Sequence, residues 1–174
     1  MREIKLPDTL DSKKTAGSYL MFSVIRDKDL EKRINNFLFR LLNSNGSLEF
    51  EPQDYPHVTL FATPDEISYF HKLELVSYLR SLLPPSNNLL DLEVTGVDLF
   101  SEDKQTLVVR FHSNTLENLN KKLCEFMSDR GFQMSTWGYN PHMTLGRVSR
   151  SNIYIPPMED LKVKFKNVTL SIGF

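Results

Sequence analysis

Two short stretches of the chain match. Pro56-His57-Val58-Thr59-Leu60 and Pro141-His142-Met143-Thr144-Leu145 differ only at the middle residue. Threonine makes up roughly 5% of average proteins, so a histidine has threonine two places on about once in twenty by chance. Repeating the proline and the leucine as well makes coincidence remote. An isolated histidine beside a strand is ordinarily a partly buried structural residue. A repeated one with the same neighbours points to chemistry. Along a strand, residues i and i+2 share a face, so each copy presents an imidazole and a hydroxyl side by side. Two lobes packed with approximate two-fold symmetry would then enclose two imidazoles and two hydroxyls. Imidazole titrates near neutral pH. One ring can act as general base while the other, protonated, acts as general acid. The hydroxyls can donate to the oxygens of a bound anion. This set suits in-line displacement at phosphorus and requires no carboxylate.

The elements that must carry these residues alternate in type. Ser18 to Ile25 reads as a buried strand. Asp27 can cap a helix from Lys28 to Leu42, with Leu30, Ile34, Phe37, Leu38 and Leu41 at helical spacing and Asn43-Ser-Asn-Gly46 as its stop. Leu48–Phe50 is a short strand and Val58–Phe61 a longer one. Thr63-Pro-Asp-Glu66 has the form of a helix start, so a second helix is expected from there to Leu83. Leu92–Phe100 and Thr106–Phe111 are strand-like, joined by Ser101-Glu-Asp-Lys104. Asn114 can cap a third helix over Thr115–Asp129, ended by Gly131. Thr144–Val148 and the alternating Leu161–Phe174 close the chain. Lys162, Lys164 and Lys166 share one face there, the pattern of a charged edge strand or else of an extended phosphate path, the edge reading being favoured. The order β-α-β-β-α then β-β-α-β-β is that of an α+β protein with two related lobes.

Composition bounds the rest. The chain has 174 residues, 40% hydrophobic and 25% charged, which fits one globular domain and excludes a disordered chain. Met1–Gly17 reads as a tail or added edge segment, and 18–174 as a single bilobed domain. That polar N-terminus is unlike a secretory signal. No apolar run reaches the roughly 20 residues needed to span a bilayer, so no membrane partner is expected. Cys124 is the one cysteine, so no internal disulfide forms and a reducing, cytoplasmic setting is expected (a host's cytoplasm for a viral chain). The net charge of −1 gives no global field for long nucleic acid. An anionic ligand must be held by a local site.

The paired motifs resemble those of the 2H phosphoesterase superfamily, most of all its LigT-like branch, the RNA 2′,3′-cyclic phosphodiesterases. Pro141-His-Met-Thr-Leu-Gly-Arg-Val148 is similar to the branch's P-H-x-T-L-x-R pattern, and Arg147 falls where the branch carries a phosphate-side arginine. The resemblance runs from Ser18 to Phe174. It implies a bilobed fold, with two pseudo-two-fold-related antiparallel sheets and flanking helices around a central cleft. It implies His57 and His142 as the acid–base pair, Thr59 and Thr144 on the phosphoryl oxygens, and neither metal nor cofactor. The first motif departs from the branch's H-x-T-L-x-F-L-G. It reads His57-Val-Thr-Leu-Phe-Ala-Thr63, with Ala62 in place of a phenylalanine that borders the substrate base. Other branches cleave 2′,5′-oligoadenylates or the cyclic oligonucleotides of antiviral signalling, and both classes stay open.

Four aromatic residues flank the motifs: Tyr55, Phe61, Trp137 and Tyr139. Each is a candidate platform for a nucleobase, or else a plug between loop and core. His71 and His112 lack partners at a useful spacing and read as solvated or structural, and Cys124, placed mid-helix, reads as a small core residue rather than a nucleophile. No metal-binding, dinucleotide or NTP motif is present. The expectation is a monomeric, metal-independent phosphodiesterase acting on a nucleotide or short oligonucleotide by hydrolysis or transesterification. The alternative is a non-catalytic binder of RNA ends or nucleotides in the same cleft.

Overall fold

A computed structural model describes residues 19–54, 57–83, 89–100, 104–134, 138–162 and 164–173, and for 19–26, 89–90 and 166–173 the backbone alone. Strand β1 (Tyr19–Arg26) leads into helix α1 (Lys28–Ser44). The Asp27 carboxylate accepts from the Leu30 amide at 2.8 Å and caps α1 as its sequence predicts. Leu30, Ile34, Phe37 and Leu41 form its buried stripe. Strands β2 (Phe50–Pro52) and β3 (Val58–Thr63) precede helix α2 (Tyr69–Leu82). Strands β4 (Leu89–Phe100) and β5 (Thr106–His112) follow, then α3 (Asn114–Ser128), β6 (His142–Val148) and β7 (Lys164–Gly173). The type and order of the elements agree with the sequence expectation.

All pairings are antiparallel, in the order β2-β6-β3-β1-β7-β4-β5, with β6 also paired to β5. Two three-stranded halves emerge from this order, β3-β1-β7 and β4-β5-β6. Each contains a strand–helix–strand unit whose last strand carries one histidine motif: β1-α1-β3 and β5-α3-β6; β2, which lies between α1 and β3 in the chain, pairs with β6 of the second half. The halves join along β7 and β4, and among the described residues their strands pair again at Val58 with Met143. This is the two-fold arrangement expected of two related lobes. Helix α3 buries Leu116, Leu119, Leu123 and Met127 in the core, and Asn120 Nδ2 donates to the Leu60 carbonyl at 2.8 Å. No helix among the described residues is long and apolar enough to cross a membrane.

Several local expectations are corrected. Thr63-Pro-Asp-Glu66 does not start α2, which begins at Tyr69 with Ser68 as cap. Thr63 ends β3 instead. Its hydroxyl donates to the Gln133 carbonyl at 2.7 Å and accepts from the Asp65 amide, while Asp65 accepts from the Gln133 amide. A capping signature has been recruited to clamp the loop after α3. Ser113, not Asn114, caps α3, and β6 begins at His142 rather than Thr144. Strand β7 is interior, lying between β1 and β4, so the edge-strand reading of its lysines fails. Lys162 precedes the strand, and Lys164 meets its cross-strand neighbour Glu93 at 3.4 Å.

Asn45 closes α1 onto the segment that leads to β7. Its amide donates to the carbonyls of Leu41 (2.7 Å) and Tyr154 (2.8 Å), and its side-chain oxygen accepts from the Tyr154 amide. Removing these bonds leaves partly buried backbone groups unpaired, at about 1–3 kcal/mol each before relaxation. Asn45→Ala is expected to lower stability by roughly 2–3 kcal/mol, read as a lower urea midpoint at unchanged slope. A shift below about 0.5 kcal/mol would show that water replaces the bonds.

Candidate active site

The pair Val58–Met143 sets the geometry of the two motifs. Both residues are buried and turn to the core. Carried one residue either way, the antiparallel register sets His57 across from Thr144, and Thr59 across from His142. All four motif residues are partly exposed, whereas Val58, Leu60, Met143 and Leu145 between them are buried. The structure thus brings the four expected side chains to one face, the side turned away from the core.

Immediately beyond each motif the alternation breaks. Opposite β1, Thr59 pairs with Phe22 and Phe61 with Met21, so Leu60 is an extra residue. Opposite β5, Thr144 pairs with Val108 and Gly146 with Leu107, so Leu145 is an extra residue. Each is a β-bulge, which shifts the facing of everything after it by one. Burial then follows the same in-out-in-in-out-in order over 58–63 and 143–148. Two outcomes depend on this. Under strict alternation Phe61 would share the face of His57 and Thr59. The bulge drives it into the core, where it is 1% exposed, so it cannot serve as a base platform. Conversely, strict alternation would bury Arg147. The bulge turns it outward, to the side of His142 and Thr144. Its Nη2 reaches Gln105 Oε1 at 3.3 Å, beside a shallow pocket lined also by Phe50 and Glu51. Ala62 holds the equivalent place in the first half.

His142 is held from two sides. Its Nδ1 lies 2.8 Å from the Asn140 carbonyl. A carbonyl only accepts, so in the neutral ring Nδ1 carries the proton and Nε2 keeps its lone pair. The Phe100 ring packs on the imidazole, with centroids 4.8 Å apart. Behind Phe100 lies Arg110, the cross-strand neighbour of His142, with its guanidinium 4.8 Å from the ring centroid and paired to Asp98. Asp98, Phe100 and Arg110 were not singled out in the sequence. The one available signal was an arginine inside the apolar run Leu107–Phe111.

Tyr139 takes the plugging role of the two open to it. Its ring packs against the core and its hydroxyl donates to the Thr59 carbonyl at 3.0 Å, tying the loop before the second motif to the strand of the first. Burial holds its phenol well above the ordinary range, with Glu117 and then Cys124 adding to the effect. Tyr55 and Trp137 lie outside the described residues. His71 Nδ1 contacts Ser68 and His112 Nδ1 contacts Glu117. The Cys124 thiol is raised by burial and then by Glu125, unlike a reactive nucleophile. Among the described residues, no three His, Cys, Asp or Glu side chains group to hold a metal ion.

The family model described as the 2'-5' RNA ligase superfamily matches residues 28–173. The chain belongs to this superfamily. The resemblance read from the two motifs is thereby borne out, and the superfamily fold is shared with several solved structures. One described as a phosphoesterase superposes with a TM-score of 0.61 at 17% identity, over 90% of this chain and 87% of the other. E. coli LigT complexed with 3'-AMP gives 0.57 at 17% identity, over 89% and 87%. The MHV ns2 PDE domain gives 0.56 at 14% identity, over 90% and 96%. No curated protein matches the chain.

Two tests follow for this superfamily member. A Cβ on Gly146 would strike the Glu51 carbonyl and come within 2.6 Å of the Phe50 ring. Gly146→Ala is therefore expected to destabilise the protein by about 1–3 kcal/mol through overpacking, measured by urea unfolding. An unchanged midpoint would mean that β2 yields freely. Tyr139 stays protonated in the folded protein where an unfolded tyrosine, with a pKa of about 10, has ionised. Its contribution is whole below that value and declines as pH rises above it. The stability of wild type should therefore fall between roughly pH 10 and 11 more steeply than that of Tyr139→Phe. Equal slopes in the two proteins would refute the assignment.

Proposed function

We propose that the chain is a metal-independent phosphodiesterase of the 2H type, acting on a nucleotide phosphodiester with His57 and His142 as its acid–base pair. The observation that carries this reading is the register at Val58–Met143, which faces one His-x-Thr motif against the other. On the neutral tautomer that the Asn140 carbonyl selects, Nε2 of His142 can accept a proton. In one direction of the reaction, one imidazole takes a proton from the attacking hydroxyl or water. The other, protonated, delivers a proton to the leaving oxygen, and the two roles exchange in the reverse direction. Thr59 and Thr144 sit beside the opposing histidines, suited to donate to the non-bridging oxygens as charge builds there. Arg147, turned outward by its bulge, adds a cation at one end of the motif face. The fold neighbours support a nucleotide ligand, since E. coli LigT has been crystallised with 3'-AMP and with NADP+. The substrate classes are a 2′,3′-cyclic phosphate, a 2′,5′-linked oligonucleotide and a cyclic oligonucleotide.

The test is a product assay in EDTA with one substrate of each class, using wild type, His57→Ala and His142→Ala. Cleavage of at least one substrate is expected, with each variant slower by roughly 10²–10⁴-fold and still folded. Wild-type-like turnover in either variant would refute the two-histidine mechanism. Nucleotide binding without product from any substrate would favour the non-catalytic binder.

A further inference from the structure

Asp98, Phe100 and Arg110 form a cluster beside the second motif. Asp98 and Phe100 alternate along β4 on the side that carries Arg110 and His142 on the next two strands. The side chains form a chain of contacts. The Asp98 carboxylate holds Arg110 Nη2, the guanidinium lies over the Phe100 ring, and the Phe100 ring packs on the His142 imidazole. The Asp98 carboxylate also accepts from the Leu99 amide at 2.8 Å, which fixes its own position.

Stability does not account for this arrangement. The Asp98–Arg110 pair is partly exposed on both sides, where ion pairs contribute little. Arg110 Nε is buried with no hydrogen-bond partner among the described residues, an unfavourable state for a donor. Anion binding does not account for it either. Asp98 neutralises the guanidinium and would repel a phosphate brought to the same place. What the cluster does provide is a ring packed at a 57° tilt against His142, while the Asn140 carbonyl fixes that imidazole at Nδ1.

We propose that Asp98, Arg110 and Phe100 are positioning residues: a brace that holds the His142 imidazole in one orientation, with Nε2 available. The inference rests on the two-histidine reading for its catalytic meaning, but its structural core can be tested without any substrate. A fixed imidazole needs no reorientation during proton transfer, and small misplacements of a catalytic group lower the rate steeply.

The experiment records long-range ¹H–¹⁵N spectra of the ¹⁵N-histidine-labelled protein, with His142→Gln identifying the His142 signals. Wild type should show a single neutral tautomer for His142, protonated at Nδ1. Phe100→Leu keeps the apolar bulk and removes the ring, and Arg110→Ala removes the support behind it. Both should shift His142 toward averaging between tautomers, whereas Phe100→Tyr should restore the single tautomer. Thermal unfolding verifies that each variant is folded. On any substrate that wild type cleaves, Phe100→Leu should lower kcat about tenfold with KM within about twofold. The double variant Phe100→Leu with Arg110→Ala should be no slower than Phe100→Leu alone, since both changes break the same brace. His142 signals that match wild type in both Phe100→Leu and Arg110→Ala would overturn the proposal. So would a rise in KM at unchanged kcat, which would make Phe100 a substrate contact. Loss of the two-histidine reading would instead appear as wild-type-like turnover in His57→Ala, with the His142 spectra unaffected.

Discussion

The single pairing of Val58 with Met143 is the contact on which the site depends. These two side chains are apolar and buried, and neither can touch a substrate. Side chains on a strand alternate, so burying this pair turns its neighbours outward on both strands. A slip of one residue on either strand would send that strand's histidine and threonine into the core and expose its buried member of the Val58–Met143 pair. The cost of burying those two polar side chains and exposing an apolar one specifies the register. Packing in the core thereby sets the positions of groups that the core never contacts.

The rest of the molecule builds the two surfaces that meet at this pair. Each half returns a strand after a helix, and the helix ends are satisfied locally, by Asp27 and Asn45 on α1 and by Ser113 on α3. Tyr139 adds a direct tie between the halves, because its hydroxyl donates to the backbone of the opposite motif. The symmetry is one of backbone and pattern. It stops at the side chains after the bulges, where Ala62 on the first half stands in the place of Arg147 on the second.

Much of this was legible in the residues. The repeated His-x-Thr motifs are visible because chemistry constrains residue type at fixed spacing, and the stripe of α1 because burial constrains spacing over several turns. The failures have a common physical cause. A bulge is a relation between two strands, and nothing in Leu60-Phe61-Ala62 or Leu145-Gly146-Arg147 announces it. Which of the two roles open to Phe61 it takes follows directly from the bulge. Thr63-Pro64-Asp65 has the hydrogen-bonding capacity of a helix cap, but a distant loop at Gln133 claims it. The lysines of β7 look like edge protection until the sheet order sets the strand between two others.

The paired bulges at Leu60 and Leu145 carry a consequence for how such a site diversifies. After each bulge, the second residue faces outward again: Ala62 in one half and Arg147 in the other. These are two sockets of one design, one holding a methyl group and one a guanidinium. The backbone is indifferent to which is filled, since neither side chain enters the core. The polarity of the motif face, which end is cationic and which is neutral and roomy, is therefore carried by two replaceable residues. A lineage could reverse or double that polarity by point substitution while its core, register and histidines stayed untouched.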